Sequence, residues 1–104
     1  MAVFFVQTNQ PRSDGSGHWA FPFECDFPTI EALTEALNKR GVAGNQVVYR
    51  RFSSKRGSPG YIESRKPMML TEQSVLGIKA LAFEIVERPP SMEAPPAFLR
   101  AAKR

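Results

Sequence analysis

The sequence has one cysteine and one histidine, and this scarcity excludes two classes of small protein. A single cysteine cannot form an internal disulfide, which excludes a disulfide-stapled secreted fold and fits a reducing compartment. A structural zinc site needs four ligands drawn mainly from cysteine and histidine, and Cys25 and His18 alone cannot supply them. We therefore expect neither a metal nor a cofactor.

Long apolar runs are also missing. No segment approaches the roughly 20 apolar residues that a transmembrane helix needs. The apolar start of the chain lacks basic residues and is interrupted by Gln7, Thr8 and Asn9, which is not typical of a secretory signal. The sequence also contains neither of the glycine-rich phosphate-binding motifs, GxxxxGK[ST] and GxGxxG. We expect a cytoplasmic protein with no membrane contact.

Groups that could carry out catalysis are sparse. His18 and Cys25 would have to meet as base and nucleophile. Glu24 and Asp26 flank the cysteine, and neighbouring acids raise the pKa of a thiol and so reduce the reactive thiolate at neutral pH. We therefore expect that the protein is not an enzyme.

The composition is that of one small globular domain. Hydrophobic residues make up 42% of the 104 residues and charged residues 23%, which suffices for one modest core. Four of the nine prolines fall within residues 89–96, where they prevent a regular element. We expect a single domain over residues 1–88 and a proline-rich, basic tail over residues 89–104.

The net charge of +4 is unevenly distributed. Residues 1–38 hold one basic and five acidic side chains, whereas residues 39–66 hold eight basic side chains and one acidic side chain. Such asymmetry within a small domain favours a polyanionic partner, although a solvated basic face without a partner would have the same composition.

Two segments give clear local patterns. Residues 2–7 are rich in aromatic and β-branched side chains and apolar on both faces, which predicts a central strand. Residues 29–40 are predicted to form a helix, because Thr29 is a good N-cap, Leu33 and Leu37 recur at helical spacing, and Gly41 follows.

The other segments complete an α+β domain. Residues 9–28 read as a long connection whose aromatic second half packs onto the domain or adds a short edge strand, and residues 45–52 and 60–66 read as two strands. A short helical turn from Thr71 and a strand over 79–87 follow, although 72–87 also fits one longer helix. This order predicts a ferredoxin-like βαββαβ domain with an antiparallel sheet. RNA-recognition motifs share the order, but their third-strand signature is absent from 60–66.

The strongest functional signal is the basic hairpin predicted over residues 45–66. Several closely spaced cations with aromatic rings between them suit a phosphate chain and its bases, so we expect a nucleic acid or nucleoprotein partner, either DNA or RNA. The candidate residues are Arg50, Arg51, Lys55, Arg56, Arg65 and Lys66, with Tyr49 and Tyr61 for stacking. The same cations would also protect a solvated strand edge from aggregation.

An alternative is a small protein-binding regulator or inhibitor. It would use the aromatic loop expected over residues 18–27 and an open sheet face, with His18, Trp19, Phe21 and Phe23 as contacts. Small inhibitors of nucleic-acid enzymes, including those encoded by mobile elements, share this size and lack of catalytic groups, which is an analogy of class only. The open face would also suit a homodimer.

Overall fold

A computed structural model of the chain describes residues 2–89. Its elements are β1 (Ala2–Pro11), β2 (His18–Cys25), α1 (Ile30–Lys39), β3 (Val42–Arg51), β4 (Gly60–Leu70), a 3₁₀ turn (Glu72–Ser74), β5 (Val75–Ala80) and β6 (Ile85–Val86). No helix within residues 2–89 is long and apolar enough to cross a membrane. The predicted tail lies, apart from Pro89, outside the described residues.

The six strands form one mixed sheet in the order β5-β1-β2-β3-β4-β6. All neighbouring strands are antiparallel except β4 and β6, which are parallel. The chain is thus a small α+β domain, but the ferredoxin-like topology is not confirmed. The first two strands form a hairpin without a helix between them, and the expected second helix is a 3₁₀ turn of three residues.

The segment expected to be an aromatic loop is strand β2, which lies between β1 and β3. Its side chains alternate in the period of two that a strand requires: the apolar set is Trp19, Phe21, Phe23 and Cys25. Phe23 and Cys25 are buried, while His18 and Trp19 at the other end are exposed. Residues 72–87 likewise form neither of the two expected arrangements. Strand β5 occupies the second half of the predicted helical turn, and only its last two residues and β6 fall within the predicted strand over 79–87.

Helix α1 is confirmed where the sequence predicts it. The Thr29 hydroxyl accepts a hydrogen bond from the Ala32 amide at 3.0 Å, which satisfies one of the free N–H groups of the first turn. Glu31 in the first turn and Lys39 in the last turn match the helix dipole. The helix buries Leu33 and Leu37 against one face of the sheet.

The hydrophobic core lies between α1 and a curled sheet. The helix residues meet side chains from four strands, namely Val6, Phe23, Cys25, Val42 and Leu70. The curl brings the end of β4 toward β1, since the Asn9 amide donates to the Gln73 carbonyl at 2.8 Å, just after Leu70. The helix therefore covers one part of the concave face and leaves another part open.

The contact between β2 and β3 ends after two residue pairs, Phe23 with Gln46 and Glu24 with Asn45. The residue of β2 that precedes Phe23 is Pro22, which has no backbone N–H to donate to a neighbouring strand. Beyond it, within the described residues, the β1–β2 and β3–β4 hairpins form no further pairs with each other. This early end of the ladder leaves room for a groove.

Candidate nucleic-acid interface

The strand register sorts the predicted cations between two faces of the β3–β4 hairpin. Along β3, Gln46 and Arg50 point to one face and Arg51 points to the other. On β4, Lys66 lies opposite Gln46, whereas Arg65 lies opposite Val47. We call the side of Arg50 and Lys66 the groove face and the side of Arg51 and Arg65 the back face. Lys55 and Arg56 lie in the turn between the strands.

On the back face, Arg65 is held by two carboxylates. Its Nε donates to Glu24 Oε1 at 2.8 Å, its Nη2 donates to Glu24 Oε2 at 3.2 Å, and Nη2 also contacts Glu87. Glu24 is buried and accepts a further hydrogen bond from Asn45 at 3.3 Å. The hydrogen bonds that Glu24 accepts from Arg65 keep the pKa of Glu24 below its ordinary value despite burial, and the same hydrogen bonds raise the pKa of Arg65. This guanidinium is already neutralised.

Arg51, the other cation of the back face, lies over a ring. Its guanidinium carbon is 5.6 Å from the centre of the Phe83 ring, a cation–π contact. The ring of Tyr49 lies 5.2 Å from the same ring, and Tyr49 is half-buried. Both side chains therefore contribute to packing the segment before β6 onto the hairpin.

Neither predicted stacking tyrosine presents an open ring. Tyr61 is only 7% exposed and is packed beside the Phe52 ring at 5.1 Å, with Arg88 over it at 6.0 Å. Among residues 2–89, the exposed aromatic rings are Phe52, at 44%, and Trp19, at 46%. The two tyrosines predicted for stacking are therefore not the rings that the fold exposes.

The cations of the groove face and the turn form few contacts with other side chains. Arg50 forms one ion pair, with Glu63 at 3.4 Å, in which the arginine side chain is 67% exposed. Within residues 2–89, the side chains of Lys55, Arg56 and Lys66 form no hydrogen bond, ion pair or ring contact. These four cations are available to a ligand at little cost to the fold.

A groove of about 460 Å³ opens on the concave face where α1 does not cover it. Its lining comes from four strands and the 3₁₀ turn and includes Gln10, Trp19, Phe21, Gln46, Met68 and Met69. Arg12 lies over the Trp19 ring, 5.1 Å from its centre. Because Lys66 lies opposite Gln46, the groove adjoins the cations of the groove face.

The contacts of the alternative interface differ in accessibility. His18 and Trp19 are exposed, Phe21 packs partly against the core, and Phe23 is fully buried. His18 and Cys25 lie at opposite ends of β2, about 23 Å apart for seven residues of strand. Cys25 is buried, and burial raises the pKa of its thiol. The two side chains do not form a base–nucleophile pair.

Arg12, Gln10 and Gln46 were not identified from the sequence as interface residues. Gln46 and Arg50 share the strand period of two, which was a usable signal, whereas the closeness of Gln10 to Gln46 depends on the curl of the sheet. No protein-family model, curated protein or solved structure matches this chain.

Proposed function

We propose that this protein binds nucleic acid through the groove face and the turn of the β3–β4 hairpin. The observation that carries the proposal is that Arg50, Lys55, Arg56 and Lys66 are exposed cations that no buried contact of the fold employs. Their attraction to phosphates would supply most of the affinity, as it does for non-specific nucleic-acid binding.

The arrangement of these cations suits a chain of phosphates. Lys66 lies opposite Gln46, and Arg50 lies four residues further along β3, about 13 Å away in an extended strand. Lys55 and Arg56 continue in the same direction, in the turn. The cations therefore follow the length of the hairpin, and one nucleic-acid backbone could contact them in sequence.

Fluorescence anisotropy of labelled DNA and RNA, titrated across salt, tests this proposal. If four cations engage a single strand, log K should fall against log salt with a slope of about −2.8. Lys55→Glu with Arg56→Glu should weaken binding at least tenfold at about 0.1 M salt and make the slope shallower. A matched control, Arg40→Glu with Lys79→Glu, changes the net charge equally at the C-cap of α1 and on β5 and should bind nearly as the wild type.

Two results would contradict the proposal. An equal loss in the control pair would show that net charge, and not the hairpin, determines binding. An absence of binding to every DNA and RNA probe at about 50 mM salt, where phosphate contacts are strong, would remove nucleic acid as the ligand.

A second candidate function is protein binding, and the exposure of two large apolar side chains at one groove favours it. Trp19 is 46% exposed and Met69 is 59% exposed, and both line the groove. Tryptophan is typical of interface anchors. Binding of such a protein partner should be lost in Trp19→Ala and retained in Lys55→Glu with Arg56→Glu. Nucleic-acid binding should be weakened by the second variant, which separates the two functions.

A further inference from the structure

We infer that the groove beside Trp19 receives the unpaired bases of a single-stranded nucleic acid, with the indole ring as the stacking platform. This inference rests on the proposed function and specifies its ligand: a single strand, DNA or RNA, in preference to a duplex. It assigns base contact to a different element, β2, from the hairpin that contacts phosphate.

The position of Trp19 is the first support for this inference. Its ring is nearly half exposed at the edge of the groove, with Arg12 over one face, whereas β2 becomes buried only from Pro22 to Cys25. Stacking requires access to the flat face of a base, and in a duplex both faces are covered by neighbouring base pairs. A base that reaches Trp19 must therefore be unpaired.

The polar lining of the groove is the second support. The side-chain amides of Gln10 and Gln46 have no partner among residues 2–89. An amide both donates and accepts hydrogen bonds, which suits the mixed donor and acceptor edge of a base. Phe21 and Met68 add apolar surface beside them, so the groove combines a stacking surface with neutral hydrogen-bonding groups.

Charge placement is the third support, because the cations lie beside the groove and do not line it. Lys66 lies across from Gln46, Arg50 lies further along the hairpin, and Arg12 lies over the indole. A single strand has its phosphates on one side and its bases on the other. The groove face offers a match for both sides, with cations for phosphates and the groove for bases.

The experiment uses Trp19 as its own reporter, since it is the only tryptophan in the chain. Four labelled probes of equal length would be compared: single-stranded DNA, single-stranded RNA, a DNA duplex and an abasic DNA strand with phosphates but no bases. Anisotropy measures binding of each probe, and tryptophan fluorescence reports contact with the indole. We expect quenching by the base-containing single strands that saturates together with the anisotropy, and weaker binding without quenching by the abasic strand and the duplex.

Two variants of Trp19 separate stacking from folding. Trp19→Ala should weaken binding of the base-containing strands roughly 5-fold to 150-fold and leave abasic binding unchanged. Trp19→Phe retains a ring and should keep most of the affinity. Circular dichroism and a thermal melt of both variants establish that the fold is intact, and unchanged abasic binding is an independent check of the hairpin.

Failure of this inference is distinguishable from failure of the proposed function. Equal binding of the abasic strand, tighter binding of the duplex, or binding without quenching would overturn the inference and leave phosphate binding by the hairpin intact. No binding of any probe would overturn both. Loss of affinity in Trp19→Phe equal to that in Trp19→Ala would also contradict stacking as the role of this residue.

Discussion

The two faces of the β3–β4 hairpin carry the same kinds of residue and use them differently. On the back face, Arg65 and Arg51 are occupied by Glu24 and by the Phe83 ring. On the groove face, Lys66 has no side-chain partner within residues 2–89, and Arg50 has one exposed ion pair. The charge that composition reveals is therefore not the charge that a ligand meets. Of two cations adjacent in sequence, the one on the back face contacts other side chains of the protein, and the one on the groove face remains accessible to a ligand.

Removing the guanidinium of Arg65 should have the largest effect on stability. Arg65→Ala leaves the buried Glu24 carboxylate without its main partner, and we expect a loss of about 2–3 kcal/mol in the free energy of unfolding. Urea denaturation measures it. The matched back-face control is Arg51→Ala, which loses one cation–π contact and should cost about 0.5–1 kcal/mol. Equal losses of stability in the two variants would contradict the prediction that the ion pair of Arg65 stabilises the fold more than the cation–π contact of Arg51.

The ion pair between Glu24 and Arg65 should make the free energy of unfolding depend on pH. The pKa of Glu24 is lower in the folded protein than its ordinary value of 4.5, chiefly because of the hydrogen bonds from Arg65, so the unfolded chain binds the proton more readily. The stabilisation is fully present above that ordinary value and is lost as the pH falls through the folded pKa. Unfolding free energies between about pH 6 and pH 3 should show this decline.

Two variants identify the source of the acid dependence. Glu24→Gln should be less stable at neutral pH and show a flatter decline toward acid. Glu84→Gln, a change at an exposed carboxyl, should keep the wild-type decline. A decline that persists unchanged in Glu24→Gln would assign the acid sensitivity to other groups.

The smallest expected effect is a change in nucleic-acid affinity that differs between alanine variants of the two faces. Arg50→Ala should weaken single-stranded nucleic acid about fivefold at roughly 0.1 M salt, the contribution of one phosphate contact, whereas Arg51→Ala should not change affinity. Anisotropy of the same labelled strand measures both variants. If Arg51→Ala loses as much as Arg50→Ala, the ligand does not distinguish the faces, and the assignment of the interface to the groove face is wrong.

Local signals were sufficient for part of the fold. Helix α1 carries its own information, because Thr29 caps it and Leu33 and Leu37 repeat at its period. Strand β2 was predicted only as the packed half of a connection or a short edge strand, although its alternation is complete and it lies between β1 and β3. Proline is rarely found inside a central strand, and Pro22 therefore favoured a loop. In the structure the proline is tolerated because the ladder to β3 ends beside it.

The site depended on information that no local pattern holds. Glu24 and Arg65 are 41 residues apart, and their pairing requires the register of β2, β3 and β4 together. The sequence therefore identified a basic hairpin but counted Arg65 among cations available to a ligand. Burial of Tyr61 was hidden for the same reason, because Phe52 and Arg88 cover it only after the hairpin has formed.

The short ladder between β2 and β3 also has an evolutionary consequence. The groove adjoins a place where one backbone donor is missing, at Pro22, and Pro22 is not among the residues that line the groove. Replacement of this proline by any other residue supplies a backbone N–H beside the point where the pairing with β3 stops. Mutation could thus close the groove while every lining side chain is preserved. Conservation of position 22 would therefore be a more sensitive record of selection on the groove than conservation of its lining.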